Sequence, residues 1–208
     1  MSAIVNNLFA FFFAFLVLAG GLYAPAAHAQ GAQDKDTIIK LLKERDAEIK
    51  SVLGDKEEFT ETQRTKLKNL INGAIDFEKM GRGALGEQWN KLGPEQHAEF
   101  VNVFSEIVRG RSLSDLEIYR LDVAYDDVLV DGDSARVFTT TVYKEQPMQV
   151  EYAMGLRDNT WRVDDIILDG VSTTEGYARS FQTYVRKRGF DALMENLHKR
   201  LEKMNAAS

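Results

Sequence analysis

Residues 123–168 read VAYDDVLVDGDSARVFTTTVYKEQPMQVEYAMGLRDNTWRVDDIIL, and their patterning predicts four β-strands. From Met148 to Leu156 apolar side chains alternate with polar or small ones, which is typical of a strand with one buried and one solvated face. Asp131-Gly132 predicts a tight hairpin between the first two strands, and Arg157-Asp158-Asn159 predicts a turn between the last two. The expected strands span residues 123–130, 135–144, 148–156 and 161–168.

Segments with helical periodicity flank these strands on both sides. Ahead of them, apolar residues recur at helical spacing from Ile38 to Leu53, and Gly54 occupies the position of a helix C-cap. After them, two further helices are expected, over Tyr177–Val185 and Phe190–Met204. Helices before and after an antiparallel meander predict an α+β fold in which amphipathic helices cover one face of the sheet.

Within residues 54–113, short sequence motifs predict where the helices begin. Thr60-x-x-Gln63 forms a capping box, Asp76 is a candidate N-cap, and Pro94 after Gly93 favours a helix start. Three glycines within residues 77–89 predict a poor or broken helix there. Residues 30–36 carry no such signal, and we expect a flexible leader.

The first 29 residues differ in composition from the rest of the chain. Leu8–Leu18 is an uncharged apolar run, shorter than the roughly 20 residues that a membrane-spanning helix needs. It fits the apolar region of a signal peptide, and Ala27-His28-Ala29 offers a cleavage site before Gln30. The run lacks a preceding Lys or Arg, so an uncleaved anchor is the alternative. We expect a signal peptide over residues 1–29, a periplasmic location, and one domain over residues 30–208.

Composition excludes several classes of protein. The chain has no cysteine, which removes thiol catalysis, iron–sulfur clusters and thiolate zinc sites. Its 26 basic and 32 acidic residues give a net charge of −6, which argues against nucleic acid as a partner. The histidines show no metal-binding spacing, so neither a metal nor another cofactor is expected.

Two motifs that are often functional fit poorly here. Gly81-x-Gly83-x-x-Gly86 matches the dinucleotide fingerprint, but helical residues rather than a strand precede it, so close packing or a kink is the better interpretation. Asp164 and Asp165 are adjacent on a predicted strand, where one of them is expected to face inward. An inward carboxylate could serve as a general base, although surface acids are the simpler interpretation.

Two blocks of sequence resemble the MlaC family, whose members are also called toluene-tolerance auxiliary proteins. The first block resembles the family signature at residues 76–80, 84–86, 89, 94–96 and 99–100. The second resembles it at residues 161–166, 169–172, 177, 179 and 181, and the ending Gly189-Phe190-Asp191-x-Leu193 is similar as well. The chain departs from the family signature at four positions: glycine stands at positions 81, 93 and 176 where the family usually has another residue, and Asp169 stands where it usually has glutamate.

The resemblance implies a periplasmic phospholipid carrier rather than an enzyme. Such a protein shuttles lipid between an outer-membrane lipoprotein–porin complex and an inner-membrane ABC transporter that bears a lipid-binding ring, and so maintains outer-membrane lipid asymmetry. Some relatives are associated with hopanoids, so a hopanoid-type lipid is the other candidate ligand. The implied fold is an antiparallel sheet of the nuclear-transport-factor-2 (NTF2) type packed against amphipathic helices, with an apolar lipid cavity between them.

Aromatic and apolar side chains from both the helices and the sheet are the candidate lipid-binding residues. Periodicity alone favours an ordinary core, and only the resemblance favours a cavity. Arg82 or Arg179 is a candidate contact for a phosphate. An NTF2-like isomerase or dehydratase using Asp164 or Asp165, and an envelope adaptor without a ligand, remain alternatives. The expected lining comprises Phe77, Met80, Trp89, Phe104, Val108, Val150, Tyr152, Met154, Trp161, Val163, Val171, Tyr177 and Phe181.

Overall fold

The computed structural model describes residues 25–206, and their side chains from Gln33 onward. The apolar run Leu8–Leu18 therefore lies outside the described residues. Among the described residues, no helix combines the length and the apolar character needed to cross a bilayer. The helices are α1 (Pro25–Leu53), α2 (Glu61–Asn72), α3 (Phe77–Leu85), α4 (Pro94–Arg111), α5 (Thr173–Arg188) and α6 (Phe190–Ala206), with 3₁₀ helices at Gly86–Lys91 and Leu116–Arg120.

The sheet is a five-stranded antiparallel meander in which each strand pairs with its neighbours in sequence. The four predicted strands are confirmed, with no bound shifted by more than two residues. At the turn between the third and fourth strands, Asp158 and Asn159 have φ of +49° and +58°, as a two-residue hairpin turn requires. The strands are β1 (Ala124–Asp131), β2 (Ser134–Tyr143), β3 (Gln146–Arg157), β4 (Thr160–Leu168) and β5 (Val171–Ser172).

Capping interactions fix the helix starts as the sequence predicts. The hydroxyl of Thr60 accepts from the backbone N–H of Gln63, and the Gln63 side chain accepts from the N–H of Thr60, so the capping box is present. The carboxylate of Asp76 accepts from the N–H of Lys79 at 2.8 Å, and Pro94 begins α4. These bonds satisfy N–H groups that a helix leaves unpaired in its first turn.

Two segments differ from expectation. Residues 30–36 are helical rather than a flexible leader, because α1 extends back to Pro25 through a stretch rich in Ala and Gln, which are good helix formers. The helix that begins at Phe77 is unbroken through Gly81 and ends at Gly86, where φ is +57°, so only the third glycine interrupts it. Neither β5 nor the 3₁₀ helix Leu116–Arg120 was predicted.

The segment that leads into α3 joins the helices to the sheet. The N–H of Asp76 donates to the carbonyl of Val163, and the N–H of Val163 donates to the carbonyl of Ala74, each at 2.8 Å. Arg157 reinforces this junction, since its guanidinium contacts Asp164 at 2.7 Å and Asp76 at 3.3 Å. The C-terminal end of β3, the N-terminal half of β4 and the start of α3 are therefore held together.

The buried apolar residues form two separate clusters. The main cluster joins α3–α6 and the sheet. Within it the rings of Phe100 and Phe104 stack, and the ring of Phe181 meets both edge to face. The small cluster consists of Ile49, Leu53 and Leu67, between the C-terminal half of α1 and α2. Because α1 also contributes Ile38 to the main cluster, this one helix spans both. The interior is thus divided into two parts.

Gly81 lies at the contact between α3 and α4, where a side chain would have little room. A Cβ at this position would lie 3.1 Å from Cε1 of Phe100 and 3.6 Å from Cδ1 of Phe104. We expect Gly81→Val to lower the free energy of unfolding by about 1–3 kcal/mol, because the added methyl groups overpack the contact. Urea denaturation measures this difference.

Gly176 provides the matched control, since it is also a helical glycine but a Cβ there meets nothing within 4 Å. Gly176→Val is expected to change the free energy of unfolding by less than about 0.5 kcal/mol. Equal losses for the two variants would contradict the close approach of α3 to α4.

Candidate functional site

The inner face of the sheet is the face whose side chains enter the main cluster, among them Val137, Met154 and Val163. Directly paired residues of an antiparallel sheet project to the same face, so the register identifies the other inner residues. Val150 pairs with Thr139 and with Leu168, and Leu168 pairs in turn with Val171. A single cross-strand row on the inner face therefore contains all four residues.

Burial changes along this inner face from one end to the other. Met154, Trp161 and Val163 are each 3% exposed and form the closed end, near the junction with α3. At the other end, Val150 is half-buried, Leu168 is 44% exposed and Val171 is 59% exposed. These last three side chains form what we call the apolar rim. The helices thus cover the inner face at one end and leave apolar side chains accessible at the other.

The structure divides the predicted lining residues into three groups. The fully covered group belongs to the main cluster and has little surface that a ligand could touch in this conformation. Val108, Tyr152 and Tyr177 are half-buried and pack against the same cluster, whereas Val150 and Val171 lie outside it, at the rim. The covered group is Phe77, Met80, Trp89, Phe104, Met154, Trp161, Val163 and Phe181.

Two of the covered residues, Phe77 and Trp89, border a surface groove of about 550 Å³ between α3 and α4. In this groove the ring of His97 stacks on Trp89 with 3.9 Å between centroids, and the guanidinium of Arg109 lies 4.7 Å from the centre of the Phe77 ring. A second concavity of about 450 Å³ lies between α1 and α2. Neither is between the sheet and the helices, so the large cavity expected there stays a prediction.

Three half-buried tyrosines pack against the two apolar clusters. Tyr125 and Tyr152 project from the inner face of β1 and β3, opposite Thr139 and Val137. Tyr119, on the 3₁₀ helix Leu116–Arg120, packs against the small cluster, whereas the other two pack against the main one. None of the three hydroxyls is among the buried polar atoms that lack a hydrogen-bond partner in the described part of the chain.

Burial raises the pKa of all three phenols. For Tyr152 the pKa rises to about 12, first because the ring is withdrawn from water and second because of the charge of Asp46. Burial and then the neighbouring Tyr152 raise the pKa of Tyr119 and Tyr125 further, with smaller contributions from Asp115 and Asp46 respectively. All three are therefore neutral hydroxyl groups at physiological pH.

The two candidate general bases have structural partners. Asp164 accepts two hydrogen bonds from the guanidinium of Arg157, at 2.7 and 2.8 Å. Asp165 pairs opposite Ala153, on the outer face, and accepts from Ser172 and from the N–H and hydroxyl of Thr174. These bonds anchor the start of α5 to β4. Neither carboxylate borders the two concavities described above.

The candidate phosphate contacts Arg82 and Arg179 are both exposed, on α3 and α5. A different arginine, Arg111 at the end of α4, is exposed and lies beside the predicted lining residue Tyr177. The distance from its Nη1 to the hydroxyl of Tyr177 is 3.5 Å. Arg111 and Leu168, which lie beside predicted lining residues, were not singled out from the sequence, nor was the position of Tyr119 predicted. The position of Leu168 on the inner face could have been deduced from the pairing of β3 with β4. A five-residue 3₁₀ helix, by contrast, has too little periodicity for the position of Tyr119 to be predicted.

The raised pKa of Tyr152 predicts a loss of stability in alkali. Between about pH 10, where an exposed tyrosine ionises, and about pH 12, the unfolded chain releases the proton and the folded protein retains it. The free energy of unfolding therefore falls as pH rises through this window. We expect Tyr152→Phe to reduce this fall by on the order of 1–2 kcal/mol, measured by urea denaturation across the window; parallel pH profiles would contradict the assignment.

Comparisons with known proteins agree with this architecture. A family model described as MlaC protein matches residues 37–199. The intermembrane phospholipid transport system binding protein MlaC of Haemophilus influenzae is 19% identical over 141 residues, which cover 64% of this chain and 66% of that protein. A phospholipid-binding protein from Ralstonia solanacearum, solved in complex with a phospholipid, has the same fold with a TM-score of 0.68 and 22% identity over 82% of this chain and 98% of its own. Because the family model matches most of the chain, this protein belongs to the MlaC family.

Proposed function

We propose that this protein is a periplasmic carrier that binds a phospholipid with its acyl chains between the sheet and the helices. The observation that carries the proposal is the apolar rim, where Leu168 and Val171 are accessible although their row continues into the buried part of the inner face. Large accessible apolar side chains at the edge of a core are typical of sites that bind apolar ligands or partners. Family membership and the phospholipid held by the Ralstonia relative support the choice of ligand.

The energetics explain why such a carrier needs apolar surface rather than catalytic groups. A two-chain lipid exposes on the order of thirty methylenes in water, at about 0.8 kcal/mol each, or roughly 24 kcal/mol before the chains contact each other. Replacing the contacts of the bilayer with apolar protein surface removes most of this cost. The predicted lining residues, from Phe77 to Phe181, are the proposed source of that surface, and the half-buried ones are the first to meet the ligand.

The proposed route of the lipid is between the two membranes of the envelope. An inner-membrane ABC transporter complex with a lipid-binding ring and an outer-membrane lipoprotein–porin complex are the proposed partners. Residues 1–29 are proposed to direct export and to be removed, leaving residues 30–208 as one carrier domain. Cleavage before Gln30 would fall within α1, whose first buried residue described is Ile38. Every residue of the main cluster among the described side chains lies after this cleavage site.

Charge at the apolar rim is expected to abolish lipid binding without unfolding the protein. Val171→Arg places a guanidinium where the apolar chains are proposed to enter, and a charge is costly to bury without a partner. We expect the lipid that co-purifies with the exported protein to fall at least about tenfold. Val150→Arg, two strands further in, is expected to have the same effect. Native mass spectrometry and chromatography of solvent extracts measure the bound lipid.

Val142 offers a matched control, since it is also a valine that is 59% exposed but projects from the outer face of β2. Val142→Arg is expected to retain its lipid. Lipid content that is unchanged in Val171→Arg and Val150→Arg would refute the assignment of the rim. A small polar metabolite in the wild-type extract would favour an isomerase-type enzyme instead, and an extract without ligand would favour an adaptor.

A further inference from the structure

The surface groove of about 550 Å³ between α3 and α4, called the α3–α4 groove below, runs along one side of α4. The α4 residues that border it recur every three or four positions, as on one side of a helix. From the first of them to the last the helix rises by about 22 Å, the length of about seven extended residues. The residues of this row are Pro94, Ala98, Val101, Ser105 and Arg109.

Arg109, at the C-terminal end of this row, has an unmet hydrogen bond. Its Nε is buried and has no hydrogen-bond partner among the residues that the structure describes. The carboxylate of Glu106 is too far away to accept this bond, since its Oε1 lies 3.9 Å from the Nε, and its Oε2 contacts Lys68 at 2.6 Å. A buried donor without an acceptor is unfavourable, so an acceptor supplied by a ligand would stabilise Arg109.

The other side of the groove is formed by aromatic rings whose positions are already fixed. The ring of His97 stacks on Trp89, and its Nε2 lies 2.8 Å from the carbonyl oxygen of Trp89. Because a carbonyl oxygen can only accept, Nε2 is the donor in this bond. At the other end, the ring of Phe77 lies under the guanidinium of Arg109. Groups held in this way need little further ordering when a ligand binds.

The shape and charge of the groove favour a carboxylate that is carried by a protein segment. A carboxylate can accept two parallel hydrogen bonds from a guanidinium. The side chain of Arg109 is only 27% exposed, so a narrow chain can reach it more readily than a flat membrane surface can. Phe77, Trp89 and Val101 offer apolar contacts along the same length. Glu78 also borders the groove, but it is exposed, and water screens its repulsion of an anion.

We infer that the α3–α4 groove is a docking site for a protein partner, which inserts a segment with apolar side chains and one carboxylate that binds Arg109. The groove does not lie between the sheet and the helices, so a partner and a lipid could be bound at the same time. The inference therefore goes beyond the proposed function and does not depend on the ligand at the apolar rim.

The test measures the binding of short peptides to the purified exported protein by isothermal titration calorimetry. Two pairs of acetylated, amidated heptapeptides of alternating leucine and serine are used, with glutamate or glutamine at the first position in one pair and at the last position in the other. In the pair that binds more tightly, glutamate is expected to be preferred over glutamine at least about tenfold, because only glutamate forms a charge-assisted hydrogen bond. Arg109→Gln is expected to remove this preference.

Ala98→Gln tests the groove without altering Arg109, because Ala98 is exposed in the middle of the row. The longer side chain is expected to weaken both peptides of the pair about tenfold by displacing a leucine. Ser180→Gln is the matched control, since Ser180 is a small, exposed helical residue on α5, and it is expected to bind as the wild type does. Equal affinity for glutamate and glutamine peptides, a preference that survives in Arg109→Gln, equal binding by Ala98→Gln and Ser180→Gln, or no peptide binding would each overturn the inference. The lipid content of the protein is a separate measurement, so any of these results would leave the carrier function standing.

Discussion

The pairing of residues 74–76 with Val163 is the constraint on which the arrangement of the molecule depends. Two backbone hydrogen bonds and the guanidinium of Arg157 hold the start of α3 against β4. This junction brings α3, and with it the aromatic core of α4 and α5, over one end of the sheet. The other end of the inner face extends beyond the main cluster, so the apolar rim follows from where the helices are anchored.

The division of the core has a consequence for how the protein could accept a ligand. A domain usually has one contiguous apolar core, and smaller satellite clusters can accompany it. Here α2 contacts α4 largely through polar groups, namely Lys68 with Glu106 at 2.6 Å and Asn72 with Ser112 at 2.8 Å. Polar contacts of this kind contribute little net stability, so the contact between α2 and α4 resists separation less than an apolar contact of similar size would.

The sequence was sufficient for the fold but not for the site. Alternation from Met148 to Leu156 and the turn at Asp158-Asn159 fixed the strands, because pleating and turn geometry depend on local residues. Whether Trp161 is covered or Val171 accessible depends on which helix lies above each strand, which is a long-range property. The same limit applies to Tyr119, whose position depends on a short 3₁₀ helix and on the packing of α1.

A helix that spans two clusters need not be uniformly stable along its length. Cooperative units of a native protein open with free energies set by the apolar contacts that each unit buries. The half of α1 around Ile38 belongs to the large cluster, and the half around Leu53 belongs to the small one. Amide hydrogens of the second half should therefore exchange with deuterium through a partial opening that leaves the first half protected, so that one continuous helix reports two levels of local stability.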